Sequence, residues 1–246
     1  MALVLRNVSY AYPGAGRNAV ENCSFEFLPG RFYGIFGSNG SGKSTLLKLL
    51  AGDIPCGNVT IDENLLKKLS PRQKATLLAV AEQENELILP FTVRECIKLG
   101  CYIRNNGDDE LVTRLLTQWQ MMDWQDKMFA ELSGGERQRV KLLRVLAQDT
   151  PYILLDEPAS SLDWARQLDL YGKMRSLAHE SGKCVIMICH DLYMAPAFID
   201  EMLLMKSGSL IYSGKPDSAD ANLAVSQAFE RDIVLNRRSN SVTVSW

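Results

Sequence analysis

Along the first third of the chain, apolar residues fall at every second position, the period that turns one face of a strand inward. Leu3 and Leu5, then Val8, Tyr10 and Tyr12, mark a first strand with a break between Leu5 and Val8, ahead of a turn at Pro13 and Gly14. Cys23, Phe25 and Phe27 mark a second strand, ended by Pro29 and Gly30. Residues 31–36 are a short apolar run, followed at once by a glycine-rich loop and a helical pattern over 45–51. Val59 and Ile61 predict a small edge strand, and 76–81 predicts another.

From about residue 84 to 131 strand signals fade, and Val112, Leu115, Leu116, Trp119 and Met122 recur at the spacing of a helix face turned toward a core. Strands and helices then alternate again. The pattern predicts a helix over 133–149, a buried strand over 152–155, a helix over 164–181 stopped by Gly182, and a buried strand over 185–188. A hairpin follows, 202–206 and 210–212 joined by Ser207, Gly208 and Ser209, and an antiparallel pair is expected between 232–236 and 242–246. No internal repeat or low-complexity segment is visible. The expectation is an α/β core with a helical insertion.

Composition narrows the class without naming the chemistry. The chain has 246 residues, 46% hydrophobic and 23% charged, the balance of a globular protein with a sizeable core. A formal net charge of −2 gives no basic field for nucleic acid or anionic lipid. Six cysteines form no C-x-x-C pair, and several sit within apolar runs, so they read as small core residues of a reduced protein. The start has no basic segment ahead of a long apolar stretch, so no signal peptide is expected. No apolar run approaches the ~18–20 residues of a membrane helix.

Gly37, Ser38, Asn39, Gly40, Ser41, Gly42, Lys43 and Ser44 fit G-x-x-x-x-G-K-[ST] between a predicted strand and a predicted helix. The glycines let the backbone curl so that successive N–H groups point inward and cradle phosphate oxygens at a helix N-terminus. Lys43 places a point charge at the β- and γ-phosphates of a nucleotide, and the Ser44 hydroxyl ligates Mg²⁺. The apolar strand 152–155 runs into Asp156, Glu157 and Pro158, two carboxylates at the carboxyl edge of a parallel sheet. Asp156 is placed to hold Mg²⁺, and Glu157 to orient and deprotonate an attacking water.

Leu132, Ser133, Gly134, Gly135, Glu136, Arg137 and Gln138 form a third motif, in which Ser133 and Glu136 also make the capping box of a helix start. The string resembles the signature motif of ABC ATPases, and the resemblance spans essentially the whole chain. It implies a P-loop NTPase (RecA-like) ABC ATPase core, with an antiparallel N-terminal β subdomain and an inserted α-helical subdomain. One nucleotide-binding domain is expected over 1–246: a catalytic core in 1–83 and 132–218, a helical subdomain in 84–131 and a C-terminal extension in 219–246.

The same resemblance implies roles by position. ATP is expected on the loop from Gly37 to Thr45, with Tyr12 stacking on the adenine and Tyr10 as the competing ring. Ser133, Gly134 and Gly135 are expected to bind the γ-phosphate of ATP held by a second subunit, with Asp163 in a loop crossing the same interface. Gln83 resembles the glutamine that senses Mg²⁺ and water, and His190 the histidine that contacts the γ-phosphate. His179 reads as an ordinary surface residue. Ala159 stands where Thr is common after Asp-Glu-Pro, and the stretch from Lys43 to Gln83 looks shorter than usual.

The segments 69–80, 91–100 and 146–151 resemble the importers of iron chelates, haem and cobalamin, whereas 12–19 looks more like energy-coupling-factor vitamin and metal importers. The implied partners are a second ABC ATPase subunit, integral membrane permeases and a substrate-binding protein, with no nucleic acid. The implied location is the cytoplasmic face of the membrane. The segment from Leu87 to Phe91 is apolar with no element of its own, which suggests a groove for the membrane partner. A soluble ABC ATPase of DNA repair or translation is the reading of another class; it is disfavoured by the absence of a long heptad insertion and of a basic tail.

Overall fold

The structure is a computed structural model that describes residues 2–56, 58–81, 90–104, 108–160, 162–238 and 241–245; side chains at 104, 236–238 and 241–245 are outside the description. Its frame is a six-stranded sheet of β3 (Phe32–Phe36), β6 (Leu78–Ala81), β7 (Tyr152–Leu155), β8 (Cys184–Ile188), β9 (Glu201–Lys206) and β10 (Ser209–Gly214), in the order β10-β9-β3-β8-β7-β6. All neighbours run parallel except β10, which returns antiparallel to β9.

Central strands of such a sheet are covered on both faces, and β3, β7 and β8 are buried at every position. Phe32 and Phe36 pack on one side with the helices, and Tyr33 and Ile35 on the other with the antiparallel sheet. Fully burying each such side chain is worth about 1.5–3 kcal/mol. The second sheet has the order β2-β1-β4-β5, from β1 (Leu3–Tyr10), β2 (Val20–Phe27), β4 (Val59–Ile61) and the two-residue β5 (Asn64–Leu65). Helix α1 (Lys43–Ala51) lies between the sheets with Leu46, Leu47, Leu49 and Leu50 buried.

The expected α/β fold with its antiparallel N-terminal sheet and inserted helices is present. The break in β1 is a register shift between Leu5 and Val8, with Asn7 at a φ of 48°. Residues 76–81 are not one strand: Thr76 and Leu77 end helix α2 (Pro71–Leu77), and only Leu78–Ala81 pairs. Ser70 and Gln73 cap each other across the first turn and Pro71 occupies its first position, local signals for a helix that apolar alternation masked. The strand at Val59 is internal, because β5 continues the sheet beyond it.

Between β6 and β7 lie α3 (Val93–Cys101), α4 (Asp109–Gln118) and α5 (Gly134–Leu146), so the helix expected over 133–149 stops at Leu146. Phe91 is half-buried against the helical core, and its carbonyl accepts from the Phe129 N–H. Leu87 lies outside the described residues. Helix α6 (Trp164–His179) ends ahead of Gly182. His179 is more than a surface residue: its Nε2 meets both carboxylate oxygens of Asp200, which also accepts from the Phe32 N–H and so ties α6 to the start of β3. After β10 comes α7 (Ala219–Phe229), unforeseen from the pattern, then the anticipated antiparallel pair, β11 (Val234–Arg238) with β12 (Ser241–Ser245).

Candidate functional site

Strand order decides what meets. Because β8 lies between β3 and β7, the phosphate loop, the carboxylates and His190 all emerge at the carboxyl ends of adjacent strands. The loop itself is shaped by glycine. Gly42 caps α1 at a φ of 103°, and a Cβ there would come 2.2 Å from the Ala19 carbonyl oxygen; at Gly37, φ 148°, it would come 2.3 Å from that of Met205. Ser38, Asn39 and Gly40 form the exposed outer curve, while Ser41, Lys43 and Thr45 are buried. The Ser44 side chain lies near enough to Asp156 to favour its charged form.

Lys43 Nζ donates to the carbonyls of Gly37 (2.9 Å) and Ser38 (3.1 Å), which bends its ammonium back over the loop. Burial pushes its pKa down, and the nearby Glu157 and Asp156 carboxylates oppose that shift. Burial pushes the Asp156 carboxyl up; the Ser44 side chain and the charge of Lys43 oppose the shift, and Glu157 adds to it. Asp156 Oδ1 and Ser41 Oγ are buried without a hydrogen-bond partner. An orphaned carboxylate oxygen near a serine hydroxyl is a hard-oxygen donor set that fits Mg²⁺.

Glu157 sits at a φ of 50°, a left-handed conformation that a non-glycine residue adopts at a cost of about 1–3 kcal/mol. That geometry turns its side chain toward β8, and its Oε1 is in direct hydrogen-bond contact with His190 Nε2. Both carboxylates thus act on the lysine of the loop, and the histidine joins them through Glu157.

Tyr12 follows β1, is 42% exposed, and its hydroxyl lies 3.4 Å from Thr45 Oγ1 at the start of α1. Tyr10 packs edge-on against it, with ring centroids 5.0 Å apart, and contacts the core. The structure therefore puts Tyr12, not Tyr10, on the open side of the loop. Gln83 lies outside the described residues.

Ser133, Gly134 and Gly135 open α5 at a separate location. The Ser133 N–H and hydroxyl both donate to Glu136 Oε2, at 2.8 and 2.6 Å, and these bonds hold the Glu136 carboxyl below its ordinary pKa. Asp163 caps α6 by accepting from the Arg166 N–H at 2.9 Å. Both turns are exposed, and within one chain their polar groups serve their own helices.

A glycine loop between a strand and a buried helix, faced by carboxylates from a nearby parallel strand, defines a P-loop nucleoside-triphosphate hydrolase. The ABC transporter family description matches residues 20–160. The chain belongs to that family and is an ATP-hydrolysing subunit.

It is 36% identical over 225 residues to the hemin import ATP-binding protein HmuV of Chelativorans sp. (strain BNC1), covering 87% of this chain and 86% of that one. It is 37% identical over 217 residues to HmuV of Gloeobacter violaceus, covering 82% and 78%. An uncharacterized ABC transporter ATP-binding protein of Bacillus subtilis (strain 168), YvrA, is 35% identical over 87% of this chain, which spans only 51% of that relative.

Among solved structures, the dimeric cassette MJ0796 in a post-hydrolysis state with ADP and phosphate superposes with a TM-score of 0.78 at 25% identity, covering 87% of this chain and 98% of that one. An inward-facing ABC transporter shares the fold at a TM-score of 0.81 and 22% identity, covering 99% and 95%. Among the described residues no helix is long and apolar enough to cross a membrane.

Proposed function

We propose that this chain is the ATPase of an ABC importer for haem, iron chelates or cobalamin, acting from the cytoplasmic face of the membrane on separate permease subunits fed by a substrate-binding protein. The observation that carries the reading is the similarity to hemin import ATP-binding proteins across nearly the full length of both chains.

In this reading ATP lies along the loop from Gly37 to Thr45, with its adenine on Tyr12. Backbone N–H groups at the start of α1 and the Lys43 ammonium hold the phosphates. Ser44, Asp156 and Gln83 would hold Mg²⁺, which supplies neutralisation of charge on the β- and γ-phosphate oxygens when bound. Glu157 accepts the proton of the attacking water, and His190, already in contact with it, fixes the orientation of that carboxylate beside the γ-phosphate.

A second copy of the chain completes the site: Ser133, Gly134 and Gly135 present a helix N-terminus to the γ-phosphate of the partner's ATP, and Asp163 lies in the same seam. A Cβ at Gly134 would meet nothing within 4 Å among the described residues, which leaves room at the start of α5 for a group from a second copy.

The test is reconstitution of the chain with its genetically adjacent permease in proteoliposomes. ATP-driven uptake of haem, a ferric chelate or cobalamin, lost in Glu157→Gln, is expected. Uptake only of a free vitamin or metal ion would move the chain to the energy-coupling-factor branch. Failure to associate with any membrane protein would overturn the transport reading.

A further inference from the structure

Helix α4 ends at Gln118, and the carbonyls at this end, that of the C-cap residue Trp119 included, lie at the negative end of the helix dipole. One of them is taken by a residue outside every motif discussed so far. Arg139, on α5 one turn beyond the signature glycines, donates from Nη2 to the Trp119 carbonyl at 2.6 Å. The same guanidinium lies over the Trp124 ring, 5.0 Å from its centroid. Trp119 is buried, and its ring is covered by Lys173 of α6, with Nζ 4.7 Å from the centroid. Lys173 in turn pairs with Asp169, one helical turn earlier.

Arg139 is half-buried, and burial together with Arg166 works against its charge, while Asp169, Glu136 and Asp163 support it. Those three carboxylates come from different places: the signature turn, the N-cap of α6 and the body of α6. Arg139 thus joins the signature helix to the segment that follows the inserted helix α4, and the carboxylates of α6 and of its N-cap act on its charge. A cleft of about 30 Å³ between these elements is lined by Trp119, Arg139, Pro158, Leu162, Arg166 and Asp169, so they pack closely against one another.

We infer that Arg139 is a positioning residue: by holding the Trp119 carbonyl and the Trp124 ring against α5, while Lys173 of α6 covers the Trp119 ring, it makes the signature turn at Ser133 and the loop at Asp163 move as one body toward the partner's ATP. The inference rests on the reading that Ser133 acts on a second copy. Nothing in it touches the chain's own phosphate loop. Loss of the clasp leaves nucleotide held as before but misplaces the donors that the second copy needs, and misplacement of about 1 Å is enough to cost rate.

The experiment compares Arg139→Gln, Arg139→Lys and Ser133→Arg in the full-length chain. For Arg139→Gln, kcat for ATP should fall about tenfold or more, while ADP affinity and KM for ATP stay near wild type. Amide exchange over 119–125 and 133–136 should quicken. Arg139→Lys, which keeps the charge but not the planar stack, should fall between the two. Should Arg139→Gln fail to fold, Trp124→Leu removes the stacking face alone and should lower kcat in the same sense with ADP affinity kept.

Unchanged kcat and exchange in a folded Arg139→Gln would overturn the inference. So would a matched loss of kcat and ADP affinity, which marks general destabilisation. Ser133→Arg separates the two readings: an inactive Ser133→Arg beside a fully active Arg139→Gln sinks this inference alone, whereas a fully active Ser133→Arg removes the two-copy site on which it depends.

Discussion

The phosphate loop and the signature turn are both helix starts rich in small residues, yet the chain treats their glycines differently. At Gly37 and Gly42 a side chain would collide with the carbonyls of Met205 and Ala19, and Gly42 holds a left-handed conformation. At Gly134 the space is open, and α5 is capped by ordinary Ser133 and Glu136 chemistry. The loop is built by contacts of its own chain and buries its lysine. The signature turn is exposed, and this chain alone gives no reason for its smallness. One turn is fixed by packing within its own chain; the other is left open at the surface, as the proposed encounter with a second copy requires.

Glu157→Gln should break the loop half most severely in rate. It keeps the shape and removes the base, so kcat should drop on the order of 10²–10⁴-fold, and an ATP-bound dimer should persist in a sizing experiment with ATP but not with ADP. A dimer indifferent to nucleotide would contradict the two-copy arrangement. Lys43→Ala should weaken Mg-ATP binding by roughly 3 kcal/mol, about a hundredfold in Kd, read by nucleotide titration.

The two glycines test the comparison directly. Gly42→Ala should destabilise the protein by about 2 kcal/mol or more, seen as a lower melting temperature. Gly134→Ala should leave melting unchanged or raise it, because Ala is the better helix former by about 1 kcal/mol, yet lower ATPase activity with ADP affinity kept. Equal destabilisation by both would erase the distinction.

Tyr12→Ala should cost about 1–3 kcal/mol of ATP affinity through lost stacking, and Tyr10→Ala less; the reverse order would assign the wrong ring. The smallest effect concerns Asp156. Its folded pKa lies above the ordinary value because burial disfavours the charge. Between the unfolded and folded values the native state keeps a proton that the unfolded chain has lost, so stability falls as pH rises through that interval. Asp156→Asn should therefore melt higher than wild type without nucleotide at neutral pH, with a flatter profile just above the carboxylate range, and should lose the stabilisation that Mg-ATP gives the wild type.

Legibility followed the range of the interaction involved. The loop from Gly37 to Ser44, the pair Asp156 and Glu157, and the Ser133–Glu136 box were readable because each is a local backbone device whose residues are neighbours in the chain. Strands β3, β7 and β8 announced themselves as unbroken apolar runs for the same reason. Helix α2 was written as plainly, in Ser70, Pro71 and Gln73, but the apolar residues that follow favoured a strand over 76–81. Helix α7 gave no sharp apolar stripe, being rich in alanine.

Alternation could not rank Tyr10 against Tyr12, which share a strand parity; the end of β1 at Tyr10 and the 3.4 Å approach of the Tyr12 hydroxyl to Thr45 Oγ1 set the two rings apart in place, not in role. Sequence alone fixed which chemical groups the chain carries and the turns that aim them. The fold decided which of them meet. His190 reaches Glu157 because β8 was placed beside β7, and Arg139 reaches Trp119 because α4 ends against α5. Such contacts join residues far apart along the chain, and their partners are set by which apolar faces bury each other, a choice that no local spacing encodes.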